Sequence, residues 1–428
     1  IAKSAMSERL GNPDGSPSPE LVRLYERWGE GGAGLLVTGN VMVDRRALGE
    51  TGNVVVDDER DLGALTAWAR AATRRGSRVW MQINHPGRQS PRNLSRQPVA
   101  PSAVGLRGTF GAFAKPRALE AEEIEQIVAR FAQTARIAQK AGFDGVQIHG
   151  AHGYLVSQFL SPLANRREDE WGGDVTRRRR FLIEVVRAIR SAVDISVGLK
   201  LNSADFQRGG FDEDESMAVL EALDAEGLDL IEISGGTYES AKMFEETTPT
   251  RESSKHREAF FMEYVERARK RIETPLLLTG GFRTLAGMEE ALESGAVDVV
   301  GLARPIAAEP DLPARLLSGE RDAARPVRLS TGIAMLDSLI QGSWYQAQID
   351  RMGRGLDPDP SLGRLGALVK YFLPRGVSRW KALPAGDTRP GTVGAETRAR
   401  SSLGVSARSA GPRRSTPASG TEPREGAR

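Results

Sequence analysis

Residues 144–154 read Asp-Gly-Val-Gln-Ile-His-Gly-Ala-His-Gly-Tyr. An apolar run of strand character ends at His149, turn-forming residues follow, and Tyr154 closes the segment. The chain has only four histidines, and two of them, His149 and His152, fall here. Two imidazoles can donate hydrogen bonds to one polarised oxygen. A phenol that titrates near ~10 is still protonated at neutral pH and can deliver a proton beside them. Two plainer readings stay open for the histidines alone. They could be two ligands of a metal, although no third histidine or cysteine converges on them and carboxylates would have to complete the set. They could also be a buried core pair.

Four other segments carry chemistry-bearing groups. In Gln82-Ile83-Asn84-His85-Pro86-Gly87-Arg88, the Gln82 amide offers both a donor and an acceptor to a heterocycle, although a loop amide and a satisfied surface histidine would look the same. Lys200 ends the apolar run Val197-Gly198-Leu199, where a cation could stabilise negative charge developing on a bound ring or could simply snorkel to the rim. Leu278-Thr279-Gly280-Gly281-Phe282 and Gly301-Leu302-Ala303-Arg304-Pro305 each end a strand-like run. Glycines let backbone N–H groups approach an anion, and Arg304 can fork onto phosphate oxygens, so a phosphorylated cofactor or substrate is implied. By contrast, Gly29-Glu30-Gly31-Gly32-Ala33-Gly34 matches a dinucleotide fingerprint in the wrong context, because a helix precedes it and a strand follows.

The elements that must position these groups alternate strictly. Strands are expected at 2–6, 34–38, 79–83, 145–148, 196–201, 230–233, 276–278 and 297–301. Helices are expected at 19–30, 61–75, 121–140, 177–193, 212–226, 258–272, 284–294 and 311–317. In 122–140, Ile124, Ile127, Val128, Phe131, Ala135 and Ala138 share one helical face. Eight strand–helix units over about 320 residues predict an α/β fold, a (β/α)8 TIM barrel rather than an open doubly wound sheet. Ser7, Gly39, Gln82, His149, Lys200, Ser234, Gly280 and Arg304 all fall at or just after strand ends, which a parallel barrel gathers on one face. The expected division is a barrel over 1–319 that lacks its natural N-terminus, a short helical extension over 320–382 with helices at 330–345 and 362–371, and a disordered tail over 383–428.

Composition narrows the class. The net charge is +3, yet the last 44 residues alone carry eight arginines against four acids, so the basic excess belongs to the tail and argues against a nucleic-acid face. The tail has almost no large apolar residue to offset its ordering entropy. The absence of cysteine removes disulfides, iron–sulfur clusters, thiolate metal sites and a cysteine nucleophile, and fits a reducing, cytoplasmic setting. No apolar run is long enough for a membrane span.

Taken together, the His149–His152–Tyr154 segment, the Gln82–Arg88 motif, the Thr279–Phe282 turn and the Gly301–Pro305 strand end resemble the old yellow enzyme family of FMN-dependent NADH:flavin oxidoreductases and ene reductases. The resemblance spans 1–319 and also takes in Pro116-Arg117-Ala118-Leu119 and Trp171-Gly172-Gly173. It implies non-covalent FMN at the barrel mouth, with NADH or NADPH as reductant. It places Ala5, Met6 and Ser7 under the flavin ring, Gly39 near its edge, Gln82 on the pyrimidine ring, Lys200 beside N1, and Gly280, Gly281 and Arg304 around the phosphate. It makes His149 and His152 the pair that binds a carbonyl or nitro oxygen of an electron-poor alkene, and Tyr154 the proton donor. Lys200 replaces a more usual arginine, Ala5 a common proline, and Ser7 a frequent threonine or cysteine; these departures are expected to shift the flavin potential without abolishing binding. A flavin-dependent amine dehydrogenase and a non-catalytic FMN-binding barrel stay open as alternatives. Substrate choice is expected to lie in loops 94–115 and 237–257. The sequence leaves a homo-oligomer open.

Overall fold

The computed structural model describes residues 1–109, 111–235, 261–327, 329 and 334–372, which belong to one compact unit, Ile1–Pro384. The tail expected at 383–428 and the loop 237–257 lie outside the described residues.

Eight parallel strands close on themselves. They are β1 (Ala2–Lys3), β2 (Leu35–Val37), β3 (Arg78–Asn84), β4 (Gly145–Gly150), β5 (Ser196–Asn202), β6 (Leu230–Ser234), β7 (Leu276–Thr279) and β8 (Val299–Leu302). Each pairs with the next, and β1 pairs with β8 to complete a (β/α)8 barrel. Helices α1 (Pro19–Gly29), α2 (Leu62–Thr73), α3 (Ala121–Ala141), α4 (Val175–Arg190), α5 (Glu213–Asp224) and α6 (Leu285–Glu293) return the chain between strands. Their starts are written in the sequence. Ser18, Asp174, Asp212 and Thr284 each accept a backbone N–H of the first turn, and α3 carries a Glu120–Glu123 capping box and ends at left-handed Gly142.

Strand alternation divides the side chains between two cores. Val79, Met81, Ile83, Val146, Ile148, Val197, Leu199, Ile231 and Ile233 face the helices in one continuous apolar layer. The inward set fills the barrel bottom with Ala2, Trp80, Leu230 and Leu277. Trp80 dominates that plug. A Cβ on Gly145 would lie 2.6 Å from its indole nitrogen, and one on Gly198 would lie 2.5 Å from its ring. The next two strands round the barrel, β4 and β5, therefore need glycine at that level. One level up, the inward positions turn polar: Ser4, Gln82, Gln147, Lys200, Glu232 and Thr279.

Helices α7 (Ala334–Gly353) and α8 (Arg364–Phe372) follow the barrel. Gln346 Nε2 donates to the Glu8 carbonyl at 2.5 Å, Arg23 Nε donates to the Gly353 carbonyl at 2.9 Å, and Trp344 Nε1 donates to the Leu362 carbonyl at 3.0 Å. This extension thus packs on α1 and on the turn after β1. Two short helices, Leu155–Leu160 and Arg304–Ala308, were not expected from periodicity; each starts directly at a site segment and is too short to show a period. No helix among the described residues is long and apolar enough to cross a membrane.

Candidate active site

The C-terminal ends of the eight strands place the expected site residues on one rim. His149, Lys200 and Glu232 lie opposite one another on β4, β5 and β6, and Gln82 lies opposite Gln147 on β3 and β4. Thr279 on β7 is opposite Gly301 on β8, so the turn Gly280–Gly281 and Arg304 are neighbours on the far side of the same rim. Ala5, Met6 and Ser7 leave β1, and Gly39 follows β2, between those two groups.

The histidine segment owes its shape to two left-handed residues. His152 has φ 61° and Gly153 φ 77°, and the first is a conformation that costs a non-glycine residue of order 1–3 kcal/mol. It is held by Asn202 Oδ1 accepting the His152 N–H at 3.3 Å and by Gln89 Nε2 donating to the His152 carbonyl at 3.1 Å. This turn swings Tyr154 back over His149. The His149 and Tyr154 rings meet edge-on with centroids 4.8 Å apart, and the His149 and His152 rings at 5.1 Å. The Ala151 N–H points at His149 Nδ1 at 3.4 Å, which puts the ring proton on Nε2, and His152 Nε2 sits 2.9 Å from Ser234 Oγ. Among the described residues, no group of three or more histidine, cysteine or carboxylate side chains is arranged to hold a metal.

Burial keeps these imidazoles neutral. It pushes His149 well below its ordinary value, with the neighbouring His152 and Lys200 charges adding to the effect, and it takes His152 down to about 3. His85, for which a satisfied surface position was the plainer of two readings, is buried. Its Nδ1 accepts the Gly87 N–H at 3.1 Å, and burial lowers it to about 4. A histidine held neutral in the fold but free to charge near ~6.5 when unfolded makes stability depend on pH. The unfolded chain binds the extra proton between pH 6.5 and 4, so the contribution is complete above 6.5 and is lost as pH falls toward 4. For His85 this amounts to roughly 3 kcal/mol at pH 4. Glu50 works in the opposite sense, because burial raises its carboxyl to about 7 and its share fades as pH rises through that value. We therefore expect His85→Asn to flatten the acid limb of the urea midpoint between pH 6.5 and 4 relative to the parent protein. Identical pH profiles for the two would remove His85 from this account.

Several partners at the rim were not expected from sequence. Lys200 does not snorkel: it is buried, and its Nζ donates to Glu232 Oε1 at 2.8 Å. Gln82 Nε2 donates to Gln147 Oε1, and Gln147 Nε2 to Glu232 Oε2, both at 2.8 Å. Ser7 Oγ donates to Glu50, which also faces Arg9 at 3.7 Å. The Gly39 N–H donates to Glu8 Oε1 at 2.8 Å, and a Cβ at Gly39 would lie 2.4 Å from the Met6 backbone carbonyl as well as against the Glu8 carboxylate, so the close approach of the β1 exit enforces glycine there. Lys3, buried under α1, donates to the Val37 carbonyl at 2.8 Å and to Tyr25 Oη at 3.1 Å, and burial lowers its ammonium to about 8. The available signal was a charged residue inside an apolar strand, at Lys3 and again at Glu232.

The donor set suits a phosphorylated isoalloxazine. Gln82 brings an amide with both hydrogen-bonding polarities and Lys200 a cation. Gly280 (φ 142°) and Gly281 (φ 82°) adopt backbone open only to glycine beside Arg304, a suitable cradle for phosphate. Buried Asn84 adds an amide that makes no hydrogen bond to the described residues, at the inward-facing end of β3.

Comparison with known proteins points the same way. The NADH-dependent flavin oxidoreductase iliE of Hypocrea jecorina is 40% identical over 341 residues, which cover 73% of this chain and 84% of that protein. The old yellow enzyme homologue of Zymomonas mobilis superposes with a TM-score of 0.63 at 25% identity, over 76% of this chain and 90% of that one. A 2-naphthoyl-CoA reductase shares the fold with a TM-score of 0.72 at 23% identity; the match covers 82% of this chain but only 55% of that larger protein. Residues 1–323 match the model of the NADH:flavin oxidoreductase / NADH oxidase family, and with the barrel, its rim and these relatives in agreement, the chain belongs to that family, the old yellow enzymes, which use FMN with NAD(P)H as reductant.

Proposed function

We propose that this oxidoreductase is an ene reductase: FMN held at the barrel mouth, with NAD(P)H as reductant, would supply the hydride chemistry for saturating an electron-poor alkene such as an enone or nitroalkene at its β-carbon. The observation that carries this reading is the tight group of His149, His152 and Tyr154 on the rim, with both imidazoles neutral. Ala5, Met6, Ser7, Gly39, Gln82 and Lys200 would hold the ring system, and Gly280, Gly281 and Arg304 its phosphate. FMN supplies the two-electron chemistry when bound.

The chain's own residues do the rest. His149, its proton on Nε2, donates to the activating carbonyl or nitro oxygen, and His152 shares that oxygen, drawing electron density from the β-carbon. Neutral donors suit this role, because they stabilise the developing negative charge without protonating the oxygen outright. Tyr154 gives its phenolic proton to the α-carbon, which balances the transferred hydride as net addition of H₂. One pocket serves reductant and substrate by turns, so no separate nucleotide domain is required. The setting we propose is cytoplasmic, with a small molecule as the substrate.

The direct test is the visible spectrum of purified protein under anaerobic conditions. We expect a flavin band that bleaches on adding NADH or NADPH and returns on adding an enone. A band that bleaches but is not restored by any activated alkene would overturn the ene-reductase reading while leaving the family assignment intact.

A further inference from the structure

The polar layer beneath the barrel mouth is wired in one direction. Glu232 is fully buried and is the only member of the belt that, when ionised, can accept but not donate. Lys200 Nζ and Gln147 Nε2 each donate to it at 2.8 Å, on separate oxygens, and the Thr279 hydroxyl donates as well. Because Gln147 must present its nitrogen to Glu232, its oxygen faces Gln82. Gln82 must then present Nε2 to that oxygen at 2.8 Å, which leaves Gln82 Oε1 for another partner. Thr279, having spent its proton on Glu232, accepts one from Ser4 Oγ at 2.6 Å. Burial works to raise the Glu232 carboxyl, but the Lys200 charge and these hydrogen bonds outweigh it and hold the group below the usual range. A buried ion pair that loses one member leaves the other charge uncompensated.

We infer that Glu232 is a positioning residue for the cofactor: one carboxylate sets both the net charge presented by Lys200 and the amide orientation of Gln82. The inference rests on the proposed placement of these two groups at the flavin's pyrimidine edge. With Glu232 in place the Lys200 cation is offset, so it favours the more negative, reduced ring less than a lone cation would.

The experiment is the midpoint potential of bound FMN, measured with the Kd for oxidised FMN, in the parent protein, Glu232→Gln, Glu232→Asp and the double variant Lys200→Gln/Glu232→Gln. Glu232→Gln should favour reduced over oxidised FMN at least tenfold, an upward shift of about 30 mV for a two-electron couple. The double variant should return to within threefold of the parent. Glu232→Asp keeps the charge pair but shortens the reach, so it should fold even if Glu232→Gln does not, with a smaller shift of the same sign. A purely structural role would lower the melting temperature and leave the potential alone, and that result would overturn the inference. If the parent protein itself fails to bind FMN, the placement at the mouth is wrong, and the inference falls with it.

Discussion

Tyr154→Phe should leave bleaching by NAD(P)H at the parent rate and slow the return step with enones by about 10²–10⁴-fold, the usual worth of a positioned general acid. The expectation follows from geometry. Tyr154 is nearly buried, its ring lies 4.8 Å from that of His149, and the left-handed pair His152–Gly153 fixes it there. Phenylalanine fills the same volume, so the ring contact and the turn should survive, and only the proton donor is removed. The loss should depend on substrate. Where the product of hydride transfer picks up its proton from water unaided, Tyr154→Phe should behave almost like the parent. Where it needs the protein's proton, the defect should be full. His149→Leu should show the opposite pattern: it removes the donor to the activating oxygen, so every substrate should slow, with KM rising as well as kcat falling. Parent-like turnover of enones by Tyr154→Phe would require another residue as the acid.

The alternation of apolar runs and amphipathic periods predicted eight strand–helix units, and the observed strands start within two residues of the expected positions. Their reading succeeds because a parallel barrel strand is apolar on both faces at its base and because helix starts carry their own chemistry, as at Ser18, Asp174, Asp212 and Thr284. The first strand was the least legible. Only Ala2 and Lys3 pair in register, because the chain leaves the sheet at Ser4 to turn toward the mouth. The site was legible as a set of strand ends and illegible as a network. Nothing local to Lys200 names Glu232, 32 residues away, as its partner; that contact is created by the register of β5 on β6. Gln147 and Glu50 escaped for the same reason, since their partners Gln82 and Ser7 are distant in sequence and the pairing exists only once the barrel closes. The two readings of His85 could not be separated locally, because a histidine in a Pro-Gly loop looks exposed until distant chain packs on that loop, as where the Leu155 N–H donates to the His85 carbonyl at 3.0 Å.

The plug under the site makes the second large prediction. Gly198→Val should destabilise the protein by about 3 kcal/mol or more, at the upper end of overpacking costs, and lower its melting temperature by roughly 4 °C or more. The first added atom would already sit 2.5 Å from the Trp80 ring and 2.9 Å from the Leu230 carbonyl. The far edge of the ring is closely bounded too, since a Cβ added at Gly145 would lie 2.6 Å from the indole nitrogen. Trp80→Leu should cost about 2–4 kcal/mol by itself, through the cavity it leaves. Combining the two should cost less than their sum by at least about 1 kcal/mol, since each relieves the other's defect. The readouts are urea and thermal unfolding of the two single variants and the double. Strict additivity would mean that Trp80 does not fill the barrel at this level, and the polar belt one layer above would then lack the dry floor that strengthens the Lys200–Glu232 pair. Because that floor lies on the opposite side of the belt from the mouth, a Gly198→Val protein that still folds should bind FMN with an altered potential even though no residue at the rim has changed.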